Sequence, residues 1–322
     1  MRRRGFITLL GGAATWPIGA FAQPRLPRVG VLLYGRAVPS GDLQIAAELA
    51  RIGYIEGRNI AYEVRGAAGD IGRLLPLARE LAAMRPAVLV GSTAQVAVAL
   101  FNATREIPIV TTMVSDPIAL GLSASISRPT HNITGFTTSS LSLAAKRLEI
   151  LHEVVPASSK VAYFWAPQNP SAAFYKSRVQ QAAEALGLKL VPLPLTSEAD
   201  IGGAFARADE EHVTAVLTEA DTLTYRLSGS IVDRCLIRNL AAMHSWAIEV
   251  RNGALMSYGP AEPENNARAA VYVDRILKGA KIAELPFEEP TEIKLAINLR
   301  TARSIGLTLS PAFIMRADEV IE

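Results

Sequence analysis

A single cysteine, Cys235, stands in 322 residues, so no intramolecular disulfide can brace the chain and stability has to come from packing. That thiol is expected to be buried and inert. Histidine is scarce too: His131, His152, His212 and His244 are scattered, with no pair at the three-to-five-residue spacing that a structural metal site uses. There is no G-x-S-x-G elbow, no H-E-x-x-H, no Walker loop and no G-x-G-x-x-G, and Gly66, Gly69 and Gly72 follow a different spacing. Neither catalytic residues, nor a metal, nor a cofactor is therefore expected. Beyond the first residues no apolar run approaches the roughly 20 residues that span hydrocarbon.

Acidic residues are missing from the start of the chain; the first is Asp42. Arg3 and Arg4 precede Gly5, Phe6 and Ile7, an apolar stretch runs on to Ala14, and Ala20, Phe21 and Ala22 form the small-x-small pattern that a signal peptidase cuts after. Residues 1–22 thus read as a signal peptide removed near Ala22/Gln23, which places the mature protein in the periplasm. The paired arginines resemble a twin-arginine leader, with Arg2 where that motif usually has Ser or Thr and Thr8 where it often has Lys. Gly11, Gly12 and Pro17 argue against a core helix there. The formal charge of +3 equals the three arginines of this leader, so the chain from Gln23 onward is neutral. No basic cluster with interleaved aromatics remains to follow a phosphate backbone, and no nucleic-acid partner is expected.

The remaining 300 or so residues, half of them hydrophobic, suffice for two core-forming units. Short β-branched runs alternate with segments of helical period, the pattern of parallel sheets covered by helices. Strands are predicted at Arg28 to Tyr34, Ile60 to Val64, Ala87 to Val90 and Ile107 to Met113, with helices at Leu43 to Gly53, Ile71 to Arg85 and Gln95 to Ala103. A second series opens with a helix over Ser142 to Val154 and runs to a strand at Ala254 to Tyr258. No Gly/Ser-rich or Pro-rich linker separates the two; the junction Asn132 to Ser140 itself reads as extended chain, suited to a hinge. A strong helix then spans Glu264 to Lys278, closed by Gly279, and a period-two strand spans Glu292 to Leu299. The fold class predicted is α/β: two doubly wound parallel-sheet lobes joined by a three-crossing hinge. Lobe 1 takes residues 28–136 plus 259–287, and lobe 2 takes 137–258 plus 288–322. A cleft at the carboxyl ends of both sheets follows from that topology.

Polar groups sit where such a cleft needs them. Ser92 and Thr93 end a strand and open a helix, where hydroxyls and free N–H groups favour a carboxylate, although Thr93 also reads as a plain N-cap. Asp116 ends the next strand and suits a ligand ammonium or hydroxyl, or the cap of the following turn. Tyr34 offers an aromatic wall, or core packing. From the second unit Asn169, Asp221 and Trp246 follow three strands, and the indole of Trp246 suits a planar or aliphatic ligand. Trp165 reads as core. Thr137 and Tyr258 lie at the proposed crossings, between ligand and hinge.

In order and spacing, several segments resemble a known family: GYIEGRNIAYEVR at 53–65, SDPIALGL at 115–122, RPTHNITGF at 128–136, AAKRLEILHEVVP at 144–156, GALMSYGP at 253–260 and LPFEEPTEIKLAINLRTARSIGL at 285–307. The chain is similar to the extracytoplasmic substrate-binding proteins of ABC transporters, in the tryptophan/tyrosine-type group with the type I periplasmic-binding fold. The resemblance implies a small-molecule solute held between two lobes and delivered to a membrane permease with its ATPase; the carrier is expected to be a monomer that closes on a small carboxylate-bearing solute, an amino acid or an aromatic or organic acid. By position, Ser92, Thr93, Asp116, Asn169 and Asp221 match places where relatives bring polar groups to the cleft. Ala166 and Gln168 depart from the family, standing where relatives commonly have Asn in an N-P-N-N-P stretch. A ligand-sensing protein for a receptor and a secreted enzyme are the two other functions the same cleft would serve.

Overall fold

The computed structural model describes residues 26–157, 159–261 and 264–322. The leader and its cleavage point lie outside those residues. The strands are β1 Arg28–Leu33, β2 Ala61–Gly66, β3 Val88–Gly91, β4 Ile109–Val114, β5 Ile133–Thr137, β6 Lys160–Trp165, β7 Lys189–Pro194, β8 Ala215–Thr218, β9 Ala241–His244, β10 Met256–Pro260, β11 Ile293–Asn298 and β12 Glu319–Ile321. They form a five-stranded sheet in the order β2-β1-β3-β4-β5 and a seven-stranded sheet in the order β12-β11-β10-β9-β8-β6-β7. All pairs of the first sheet are parallel. In the second, β11 returns antiparallel to β10, and β12 follows the direction of β11.

Parallel strands covered on both faces bury both sets of side chains, which is why β3 is apolar throughout and fully buried. Alternation sends neighbours to opposite cores. Val29 and Val31 of β1 face one cluster and Leu32 the other; Val161 and Tyr163 of β6 face one, Ala162 and Phe164 the other. Each such Val or Leu contributes roughly 1.5–3 kcal/mol on burial. Cys235 is free and buried, and burial pushes its thiol up to about 12, out of reactive range.

The chain passes between the lobes three times. The first passage leaves β5 for the helix Ser140–Val154. The second leaves β10 for the helix Glu264–Leu277, whose Ala269, Ala270, Val273 and Ile276 pack into the first lobe's core. Gly279 ends that helix with φ +96°. The third follows Phe287, whose N–H donates to Ile126 O at 2.8 Å in the first lobe, and enters β11 of the second. Thr137 belongs to the first sheet, and Gly259 and Pro260 to the second, because β10 stays paired with β11 as far as Pro260 opposite Ile293.

These passages are bonded to one another. Thr137 N–H donates to Glu288 O at 2.8 Å, and Glu288 N–H donates to Gly135 O at 2.9 Å, so the first and third run as a parallel bridge. Arg147, 1% exposed, holds the first to the second: its Nε donates to Tyr258 O at 2.6 Å and its Nη1 to Ser140 O at 3.3 Å. Burial lowers this guanidinium to about 10, still charged at any physiological pH. Gly259 is required beside it, since a Cβ there would stand 2.0 Å from Ser245 O.

Candidate functional site

The carboxyl ends of both sheets face each other across a cavity of about 460 Å³. From the first lobe it is lined by Ser92, Thr93 and Gln95 at the start of the helix Ala94–Ala103, by Thr112 and Met113 of β4, and by Ser115 just beyond. Asn169 after β6, Asp221 after β8 and Trp246 after β9 come from the second, with Tyr175 of the helix Ala172–Ala185 behind them. The second passage between the lobes closes one side through Asn265 and Asn266. A smaller cavity of about 260 Å³ adjoins it, lined by Tyr34, Asp70, Gln168 and Thr196 among others, and shares Gln95, Asn169 and Asp221 with the first.

Charge in the larger cavity is one-sided. Asp221 is the only ionisable acid or base with a formal charge among its described lining residues; no Lys or Arg is present. Its Oδ1 accepts from Leu223 N–H at 2.6 Å, capping the helix Thr222–Arg226, and its Oδ2 accepts from Gln95 Nε2 at 2.9 Å, across the cleft. Burial raises the pKa of this carboxyl, opposed by those hydrogen bonds. Beneath it, Glu219 is 3% exposed and accepts from Tyr163 Oη at 2.8 Å and Asn169 Nδ2 at 3.1 Å. Burial, chiefly, pushes Glu219 up to about 8, with the Asp221 charge adding to it. At neutral pH Glu219 is therefore mostly the neutral acid.

The opposite pole is built without a cation. Thr93 Oγ1 accepts from Val96 N–H at 3.3 Å, so Thr93 is the helix cap and lines the cavity at once. The orphan N–H groups of that helix start, with the hydroxyls of Ser92 and Thr93, suit an anion. Met113, Tyr175, Ala220 and Trp246 add apolar surface to the same lining. Glu249 fixes the backbone that carries Trp246: its Oε2 accepts from the backbone N–H groups of Trp246 at 2.9 Å and Ser245 at 3.2 Å.

Of the residues singled out in the sequence, Ser92, Thr93, Asn169, Asp221 and Trp246 converge on the larger cavity. Tyr34 lines only the smaller one. Asp116 stands outside both: its Oδ1 accepts from Ile118 N–H at 2.8 Å and Ala119 N–H at 3.0 Å, so the carboxylate caps its own turn instead of reaching the cleft. Thr137 is buried in β5 at the hinge, where its backbone is committed to Glu288, and the next residue, Thr138, lines the cavity instead. Tyr258 lines neither cavity; it packs against the second lobe's core and offers its carbonyl to Arg147. Trp165 is likewise packed against that core.

Several lining residues were not read from the sequence. Met113 and Tyr175 look like ordinary members of a strand and an amphipathic helix, and only their position at the sheet edge turns them to the cleft. Gln95 sits one residue inside its helix, a place with no distinguishing pattern. For Asn265 and Asn266 a signal existed: two amides in the first turn of a helix that starts at a passage between lobes.

The ABC transporter substrate binding protein family matches residues 41–321. A tyrosine-binding protein of Clostridioides difficile (strain R20291) is 22% identical over 256 residues, 79% of this chain and 73% of the relative. An ABC domain in complex with L-Trp from Streptococcus pneumoniae is similar in structure with a TM-score of 0.81 and 22% identity, covering 92% of this chain and 100% of its own. A conserved domain protein from Vibrio cholerae gives a TM-score of 0.82 at 24% identity, with coverage of 92% and 100%. At these identities the solved structures establish the two-lobed periplasmic-binding fold. The family match extends over most of the sequence: the chain belongs to the ABC transporter substrate binding proteins.

Proposed function

We propose that this protein is the exported solute-binding component of an ABC importer, and that its solute is a free amino acid with a large, preferably aromatic, side chain. The observation that carries this reading is the polarity of the larger cavity. One cavity is lined by a lone carboxylate, Asp221, from the second lobe, by a helix start flanked by two hydroxyls, Ser92 and Thr93, from the first, and by apolar walls. An α-ammonium belongs at the first pole and an α-carboxylate at the second, where no basic side chain is needed. Met113, Tyr175 and Trp246 then take the side chain. The tyrosine-binding relative and the similar structure that holds L-Trp support the same class.

Binding to both lobes is what gives such a carrier its signal. A solute that touches the Ser92 pole on one lobe and Asp221 on the other stabilises the closed form over the open one, whereas contact with one lobe alone leaves that equilibrium unmoved. A micromolar dissociation constant corresponds to about −8 kcal/mol, within reach of one buried aromatic body plus a few charge-assisted hydrogen bonds. The closed monomer would then dock on a permease served by its ATPase, and the solute would be released unchanged. Removal of the leader near Ala22 would place the protein in the periplasm.

Native mass spectrometry of freshly purified protein, backed by a thermal-shift screen of amino acids and organic acids, tests this directly. Retained or stabilising Trp, Tyr or Phe is the expected result. Stabilisation by organic acids lacking an amino group, with no response to amino acids, would replace the proposed solute class.

A further inference from the structure

The two cavities of the cleft share three lining residues, Gln95, Asn169 and Asp221, and two of these are in side-chain contact. Gln95, 7% exposed, reaches from the first lobe to Asp221, also 7% exposed, on the second, at 2.9 Å between Nε2 and Oδ2. Both residues line both cavities, as does Asn169, whose amide donates to Glu219 at 3.1 Å and accepts from Ser171 N–H at 2.8 Å, so the three form the boundary and Gln95 is its only member from the first lobe. Asp221 cannot easily swing aside, because its other oxygen is held by Leu223 N–H at 2.6 Å. The chambers differ in character. Apolar walls dominate the larger, whereas Tyr34, Asp70, Gln168, Asn169 and Thr196 give the smaller, of about 260 Å³, a mostly polar lining.

We infer that the smaller chamber is a second subsite, closed off from the first by Gln95, and that Gln95 thereby sets the length of the solute at one amino acid. The inference rests on the amino-acid reading above, which fixes the direction of extension. With the α-carboxylate at Ser92 and Thr93 and the α-ammonium at Asp221, any residue joined through the amino group must pass the Asp221 carboxylate and enter the smaller chamber. A residue joined through the carboxyl group would instead run into the start of the helix Ala94–Ala103. Removal of the Gln95 side chain opens the first route and leaves the second shut. The ligand class admitted is a dipeptide whose first residue is small or polar and whose second is aromatic. Its terminal ammonium would lie among Asp70, Gln168 and Asn169, and its peptide N–H would donate to Asp221.

Isothermal titration of wild type and Gln95→Ala with Trp, Gly-Trp and Trp-Gly tests this, with Gln95→Ser as a companion that also shortens the side chain. The expected result is that the affinity for Gly-Trp relative to Trp rises at least tenfold in both variants, while that for Trp-Gly relative to Trp stays unchanged. Ratios within a factor of two of wild type, or an equal gain for both dipeptides, would overturn the partition and leave the amino-acid reading intact. Wild type that already binds Gly-Trp as tightly as Trp would do the same. Failure of wild type to bind Trp, Tyr or Phe at all would overturn the amino-acid reading, and the partition with it.

Discussion

The hydroxyls of Ser115, beyond β4 of the first lobe, and Ser171, at the start of a helix of the second, lie 2.5 Å apart across the cleft. Together with the contact between Gln95 and Asp221, this bond joins the lobes directly. Two neutral or singly charged hydrogen bonds at about 1 kcal/mol each favour the closed form by roughly 30-fold over a form that lacks them.

Ser171→Ala removes one of those bonds without uncapping its helix, because the Ser171 side chain makes no capping bond there. The empty variant should be more open, with a larger radius of gyration by small-angle scattering, and solute affinity should fall about fivefold, the equivalent of about 1 kcal/mol. An envelope identical to that of wild type in both empty and solute-loaded states would mean that the contact does not govern closure.

Asp221→Asn keeps an oxygen for Leu223 N–H but removes the charge. Affinity for an aromatic amino acid should drop tenfold or more, the loss expected for one charge-assisted hydrogen bond, with the melting temperature of the empty protein unchanged or slightly raised. Because burial raises the pKa of Asp221, wild-type affinity should also weaken on acidification at a pH above the ordinary carboxylate range. Titration calorimetry across pH distinguishes this from a site that ignores the carboxylate, for which the profile would be flat.

Asp116→Ala separates a cap from a ligand group. The variant should lose about 1 kcal/mol of stability, the usual cost of a lost cap, and bind solute as wild type does. Denaturant unfolding and calorimetry on the same preparation give both numbers; a tenfold loss of affinity at unchanged stability would return Asp116 to the site.

Glu219 makes stability depend on pH in the direction opposite to most carboxylates. Its folded pKa, about 8, lies above the ordinary value of 4.5, so the folded protein holds a proton that the unfolded chain has released. Stability is therefore full below the unfolded value and falls as pH rises towards about 8, by roughly 1.4 kcal/mol per pH unit for this group alone. Glu219→Gln should flatten that dependence in urea unfolding measured from pH 5 to 8, and should be the more stable protein at the alkaline end. Parallel pH profiles for variant and wild type would show that Glu219 is ionised in the fold at neutral pH.

The parallel core was legible in the sequence because its strands are buried on both faces and read as continuous β-branched runs, as in Arg28–Leu33 and Val88–Gly91. The long helices were legible from their period and caps, Gly279 among them. What escaped was short: the helices Thr222–Arg226, Ala247–Arg251 and Pro311–Ile314 and the edge strand Glu319–Ile321 are three to five residues each, too brief for periodicity to register. At the site, polar residues that end a strand could be nominated from sequence, and Ser92, Thr93, Asn169, Asp221 and Trp246 do share one cavity. Asp116 has the same local signature and serves as a cap, because only the geometry of its own turn decides where a carboxylate at a strand end points. Arg147 lies mid-helix in an otherwise ordinary run, and its role in bonding two passages between the lobes depends on Tyr258, 111 residues away.

A calorimetric comparison of L-Trp with indole-3-propionate probes the placement of the α-ammonium at Asp221, since the two differ only by that amino group. A micromolar constant for L-Trp, on the order of −8 kcal/mol, with at least tenfold weaker binding of the acid, is expected. Equal affinity for the two, or tighter binding of the acid, would contradict it.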